Sequence, residues 1–480
     1  GDAAVGQDQV VFTSEILDEP RDHNFLVEDV GDDPSLPSGY NNPRVEEFNI
    51  PGPASFNESP GVLDGQANVA PSNIPPPPGW GNGSGNNLTD PNRPGSGATQ
   101  GKDGGWGLPT GKFVPGGMAG RSGSTKDKLL NQFGGNPRSE AAVASGLKWL
   151  IRHQSLEGRW GMHDFHVHGR CNCAGQGGNH DVAGTGLALL ALQGAGQTHK
   201  GTATNNLYMK NVERGLAWLL NRQGADGSFS GNGYEHAIAT IAVCEAYGLT
   251  ADLNLKGPAQ RAINCCVAWQ HTAGGFRYAP RTPGDLSVGG WFVQALKSGH
   301  MAGLQVPNVT WNNVNNYLDS VATPDGAGYG YVAPQTAPTM TAVGLLSRQY
   351  MGWGPRNPAL EKGSQYLLKL PPSPNFRNIY YYYYATQVMF HQAPANPVGW
   401  EQWNVKMRDL LLDTQDQGMH PDRRDQKGSW SPDGDAWGGQ LGRHGYTCLA
   451  LLTLEVYYRH LPLYRRELGQ LKPDAIRAGQ

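Results

Sequence analysis

Basic runs, long apolar stretches and dense cysteine are all missing from this sequence, and each absence removes a class of function. Charged residues make up only 16% of the 480, and 38 Lys plus Arg against 41 Asp plus Glu leave a formal net charge of −3. Nucleic-acid binding needs a basic patch or stripe and no basic run stands out, so no nucleic-acid partner is expected. No segment approaches the roughly 20 apolar residues that a membrane-spanning helix requires. Six cysteines (Cys171, Cys173, Cys244, Cys265, Cys266, Cys448) are too few in so long a chain for a disulfide scaffold. Cys244 reads as a small buried hydrophobe, and one of the Cys265–Cys266 pair is expected to point inward. The sequence starts at Gly1 without an initiator Met or a signal peptide, so a processed or truncated N-terminus is expected, and the acidic, low-complexity stretch that follows fits a periplasmic or cell-envelope location.

Gly and Pro are plentiful but unevenly placed. Asp2, Asp8, Glu15, Asp18, Glu19, Asp22, Glu28, Asp29, Asp32 and Asp33 make the first forty residues acidic, and the tracts Pro75–Pro78 and Gly95–Gly107 follow. Such composition buries too little apolar surface to offset its ordering entropy. Residues 1–128 therefore read as an extended low-complexity arm with little regular structure. It is anchored by Phe12, Ile16, Phe25, Leu26 and Phe48, with a short strand possible around Gln9–Ile16, and it docks on its own domain or on a partner. Residues 129–466 form the folded domain and 467–480 a tail.

The folded domain repeats one unit. Ala141, Val143, Ala144, Leu147, Trp149 and Leu150 stripe one helix, which runs into Gln154, Gly158, Arg159 and Trp160. A second helix, with Val182, Ala183, Leu187, Leu189, Leu190 and Leu192, is apolar all round. A striped helix faces water on one side, whereas a helix apolar all round must be buried. Each unit thus gives an outer and an inner helix. Further copies carry Gln223, Gly227 and Phe229; Gln270, Gly274 and Phe276; Asp325, Gly326 and Tyr329; and Gln415, Gly428 and Trp430. A fifth unit lacks the Gly/aromatic turn but keeps the helix pair through Leu360, Tyr366 and Tyr380–Tyr384. Six hairpins whose inner helices share one core predict an all-α fold, a closed (α/α)6 toroid.

The stretches Gln154 to Trp160, Gln223 to Phe229 and Gly428 to Trp430 resemble the QW-type repeats of squalene and hopene cyclases and of protein prenyltransferase β subunits. The chain is most similar to bacterial prenyltransferase/squalene oxidase repeat proteins. This resemblance implies the toroid, and with it a terpenoid cyclase, a prenyltransferase or an isoprenoid- or lipid-binding protein as the enzymatic or ligand-carrying alternative. The acid motif of the cyclases corresponds to Asp181-Val182-Ala183-Gly184-Thr185, with Ala183 and Gly184 where further carboxylates belong. The prenyltransferase zinc ligands correspond to Asp181, Ala183 and Tyr446, so two of three are absent. Cys173-Ala174-Gly175-Gln176 keeps the Cys-x-x-Gln spacing of complement-type thioester domains but lacks their Glu.

Inner helices that start at one rim gather Asp181, Glu235, His236, Asp285, Tyr331 and Asp435 around a central opening, the candidate binding site. Helix-start carboxylates also serve as caps, which is the competing reading. A His/Cys-rich loop offers metal ligands: His166, His168, Cys171, Cys173 and His180, joined across the ring closure by His444, with zinc as the candidate ion. A disulfide involving Cys171, Cys173 or Cys448, or inert packing, are the alternatives. With both catalytic motifs vacant, the expected function is a non-catalytic binding or structural subunit of an envelope-associated assembly. Its expected partners are further copies or other protein subunits met through the arm, and an apolar ligand belongs to the alternative.

Overall fold

The computed structural model describes residue 118, residues 120–201 and residues 206–460. The expected arm anchors, the strand near Gln9–Ile16 and the 467–480 tail lie outside the described residues. Helix α1 (Gly123–Gln132) packs on the short last helix α15 (Val456–Arg459), so the helical body begins before residue 129.

Between them run six hairpins. Outer helix α2 (Pro137–Arg152) is followed by a long loop carrying α3 (Phe165–Gly169) and then by inner helix α4 (Asp181–Gly194). The next pairs are α5 (Met209–Arg222) with α6 (Gly233–Thr250), and α7 (Leu253–Trp269) with α8 (Leu286–Met301). Then come α9 (Asn308–Val321) with α10 (Pro338–Tyr350), α11 (Pro358–Leu368) with α12 (Ile379–Gln392), and α13 (Pro397–Thr414) with α14 (Gly438–Leu454). Among the described residues there are isolated bridges but no strand. Local chemistry starts these helices where they start: Asn136, Asn232, Asp252, Asp285, Asn357, Asn378 and Asn396 each accept a first-turn backbone N–H.

The even-numbered helices from α4 to α14 pack in chain order, and α14 returns to α4, which closes the ring. Every residue of α4 from Val182 onward and every residue of α12 is buried, whereas α5 buries only the stripe Val212, Gly215, Leu216, Trp218 and Leu219. All six inner helices begin at the same rim. Tyr234 Oη donates to Ser287 Oγ at 2.6 Å, Tyr380 Oη to the Ser287 carbonyl at 3.0 Å, and Asn378 Nδ2 to Thr339 Oγ1 at 3.3 Å. Asp435 and Gly184 complete the circle, accepting from Ile379 N at 2.8 Å and from His444 Nε2 at 2.9 Å.

The Gln–Gly turns fasten each hairpin to the next. Gln154 Nε2 donates to its own turn at the Gly158 carbonyl and to the Asn211 carbonyl of α5, at 2.7 and 3.0 Å. Gln223 bridges Gly227 and Pro258 in the same way, Gln270 bridges Gly274 and Thr310, and Gln415 bridges Gly428 and Ala142. The last bridge joins unit six to unit one. Gly158, Gly227, Gly274 and Gly428 all have positive φ, and a Cβ on any of them would lie 2.5 Å or closer to a backbone oxygen of the neighbouring outer helix. Only glycine combines that φ with that approach. The aromatic that follows is buried and bonds back to the outer helix of its own hairpin: Trp160 Nε1 donates to the Leu150 carbonyl at 2.8 Å and Trp430 Nε1 to that of Leu411 at 2.7 Å.

Candidate functional site

The centre of the ring is filled by side chains. Trp291 stacks on Tyr383 with centroids 5.5 Å apart, and Tyr384 meets the indole edge-on at 5.9 Å. Gln294 donates to Tyr384 Oη at 2.8 Å and accepts from Tyr383 Oη at 2.7 Å, leaving both phenols satisfied. Trp291, Tyr234, Tyr380 and Tyr383 are 0% exposed and Tyr384 is 1% exposed. A side chain with no exposure borders no space that water can enter. The tyrosine run is core, with hydroxyls bonded inside the packing rather than around a chamber.

Beyond this plug, at the ends of the inner helices, lies a buried knot of charge that sequence reasoning missed. Glu245 takes Arg121 Nη1 at 2.7 Å and Arg459 Nη2 at 3.3 Å. Burial pushes the Glu245 carboxyl up, but the two guanidiniums outweigh it and hold the group below its usual range. Glu455 is pushed well above that range by burial. A cavity of about 10 Å³ beside Arg121, Glu245, Lys297, Tyr350 and Arg459 has room for no more than about one water. The signal was a lone Glu in the apolar run Val243-Cys244-Glu245-Ala246.

At the opposite rim each expected residue has an internal task. Asp181 accepts from Arg159 Nη1 at 3.0 Å. Glu235 accepts from His180 Nδ1 at 2.8 Å, and Asp285 is the buried cap of α8, accepting from Val288 N at 2.8 Å. The Tyr331 carbonyl receives Leu286 N at 2.9 Å. Asp435 accepts from both Ile379 N and Trp437 N; burial raises its carboxyl to about 6 against those bonds. His236 turns away from the rim, between α6 and α7, stacked 5.4 Å from Trp269, and burial lowers its imidazole to about 4. The expected opening lined by convergent acids is therefore replaced by capping and pairing, because each carboxylate lies within reach of a backbone or side-chain N–H donor of its own rim.

The stretch that resembles the cyclase acid motif is structural as well. Thr185 Oγ1 accepts the Trp160 backbone N–H at 3.0 Å, and a Cβ at Gly184 would sit 2.4 Å from the Trp160 carbonyl. No carboxylate fits at Gly184.

The His/Cys loop does reach the closure between units one and six. Arg443 Nε donates to the Ala174 carbonyl at 2.7 Å, and the Arg443 backbone N–H to the Gly175 carbonyl at 2.6 Å. The expected ligands scatter, however. His168 Nε2 pairs with Asp164 at 3.2 Å, His180 with Glu235, and His444 with the Gly184 carbonyl, while the His166 ring lies edge-on to Phe165. Each has an acceptor or a ring as its partner. Cys448 sits 3.7 Å from His444 Nε2, outside the loop cluster, and all six cysteines are free thiols. Both Cys265 and Cys266 are buried, where only one was expected inside.

What Cys171 and Cys173 meet instead is His153, one residue past α2. Its Nε2 lies 3.2 Å from Cys171 Sγ and 3.5 Å from Cys173 Sγ. Burial lowers His153 to about 4 and raises Cys173 to about 12. His153 was legible by comparing units: it precedes Gln154 where Arg222, Trp269 and Thr414 precede the other turn glutamines. A second group, His163, Asp164 and Asp181, has ligand spacing too. There the Arg159 guanidinium already lies 2.6 Å from Asp164 and 3.0 Å from Asp181, occupying a cation's place.

No family model matches the sequence, and no curated protein does. Among solved structures, type II terpene cyclase MstE from Scytonema is 12% identical, with a TM-score of 0.43 over 69% of this chain and 98% of that one. The α-1,6-mannanase GH76A of Salegentibacter sp. HEL1_6 is 10% identical, with a TM-score of 0.48 over 67% and 99%. An α-amylase from Clostridium perfringens is 10% identical, with a TM-score of 0.45 over 66% and 98%. Identities of this size carry no chemistry over to this chain. Among the described residues no helix is long and apolar enough to cross a membrane.

Proposed function

We propose that this chain is a non-catalytic α/α toroid, a structural or protein-binding subunit that docks through residues 1–128 in an envelope-associated assembly. The packed axis carries the reading. An elongated apolar substrate needs a chamber of some hundreds of Å³, whereas Trp291, Tyr380, Tyr383 and Tyr384 occupy the axis with 0–1% exposure. The rim acids support it further, since caps and ion pairs already use them.

Native mass spectrometry of the full chain tests this together with product analysis on squalene and on prenyl diphosphate with a cysteine peptide. The expected result is an assembly of more than one chain, no co-purifying lipid and no product. A lipid adduct, or cyclised or prenylated product lost in Asp181→Asn, overturns the reading.

A further inference from the structure

The ring closure holds a side-chain cluster that the packed axis does not use. His153 Nδ1 donates to the Trp149 carbonyl at 2.6 Å, one turn back in α2, which leaves the Nε2 lone pair facing the two sulfurs. The Cys173 backbone N–H lies 3.3 Å from Cys171 Sγ and donates to it. The imidazole is further fixed by stacking on Trp149 at 4.0 Å and by Gly169, where a Cβ would come within 2.5 Å of Nε2. One ring nitrogen held by a carbonyl while the other is presented outward is how metal-bound histidines are oriented.

Distances agree. Tetrahedral zinc, with bonds of about 2.0 Å to nitrogen and about 2.3 Å to sulfur, sets N···S separations of about 3.5 Å. The two observed values are 3.2 and 3.5 Å. All three ligand atoms lie within 4.8 Å of one another.

We propose that His153, Cys171 and Cys173 bind one zinc ion that staples the loop between α2 and α4 to the end of α2, at the closure of the ring. Two thiolates and an imidazole suit zinc and exclude hard cations such as magnesium and calcium. Binding releases two thiol protons to solvent, so the dication and two thiolates leave the site neutral. Three protein ligands leave the fourth position to water, which enters past half-buried Cys171. The staple has a mechanical purpose. The loop it fixes lies against Gly442, where α14 breaks its helical backbone at φ 57° and ψ −175°, and the Gly178 N–H donates to the Gln440 carbonyl at 2.9 Å. Fixing the loop therefore fixes unit one against unit six.

The test is elemental analysis of the full chain, purified without chelator or polyhistidine tag, joined to cobalt substitution and thiol counting in denaturant. One zinc per chain is expected, replaceable by cobalt with a thiolate-to-cobalt charge-transfer band. Cys171→Ser and His153→Gln should each lower retained zinc at least tenfold after dialysis, while Cys448→Ser keeps it. The parent protein alone decides the matter if a variant fails to fold. Absence of both zinc and the cobalt band overturns the proposal, as does a thiol count of four without metal, or a cobalt band that survives Cys171→Ser.

Discussion

His236 shows what burial does to a residue that looks functional in sequence. An unfolded imidazole takes its proton near pH 6.5, whereas the folded one, stripped of water between α6 and α7, resists until about 4. The sign follows: the group contributes stability above pH 6.5 that is lost as pH falls toward 4, at about 1.4 kcal/mol per pH unit. In His236→Gln that dependence should vanish. Urea midpoints at pH 7 and pH 5 should show the parent losing about 2 kcal/mol more than the variant between the two; equal losses would contradict the burial argument. Residue scale is also where sequence was least legible. The Asp181–Thr185 stretch could be located but not interpreted, since the pairing of Asp181 with Arg159 and the capping of Trp160 by Thr185 depend on how a loop folds back. His153 was missed because it caps the end of the outer helix, outside the His-rich stretch that drew attention.

Elements were far more legible, because period and punctuation are local. The contrast between striped α5 and fully apolar α4 or α12 follows from which face must be wet, and the turn glycines stood in sequence where the chain has positive φ. What sequence could not give was the partner of each turn glutamine, which lies on the next hairpin. Gln415 and Gly428 make that link across the closure. Gly428→Ala combines a φ of 94° with a Cβ 2.3 Å from the Ser145 carbonyl, so it should cost at least about 2 kcal/mol in denaturant unfolding. Gly439→Ala, on an exposed helical position with nothing within 4 Å of the new methyl, should be neutral or stabilising by up to about 1 kcal/mol. A similar cost for the two would remove the turn from the account. Truncating Gln415 to Ala leaves the Ala142 and Gly428 carbonyls without their donor, and a loss of about 1–3 kcal/mol is expected.

At the scale of the molecule, ring closure followed from counting inner helices that cannot stay exposed, and the contact of α14 with α4 bears it out. The state of the axis did not follow. Aromatic inner faces serve equally to line a chamber or to fill it, and side-chain volume across six helices decides between the two. Since the described helices carry their own core, deleting residues 1–100 should leave the helical circular dichroism and unfolding midpoint of the body unchanged, while native mass falls to a single chain if the arm assembles copies. An unchanged assembly would remove the arm from the proposed function. The claim that the centre is packed is tested most directly by the unfolding free energy of Trp291→Ala. If the indole fills the axis, its removal leaves an uncollapsed hole and costs about 3–5 kcal/mol. A loss under about 1 kcal/mol would mean that the side chain borders open space, contradicting the packed ring.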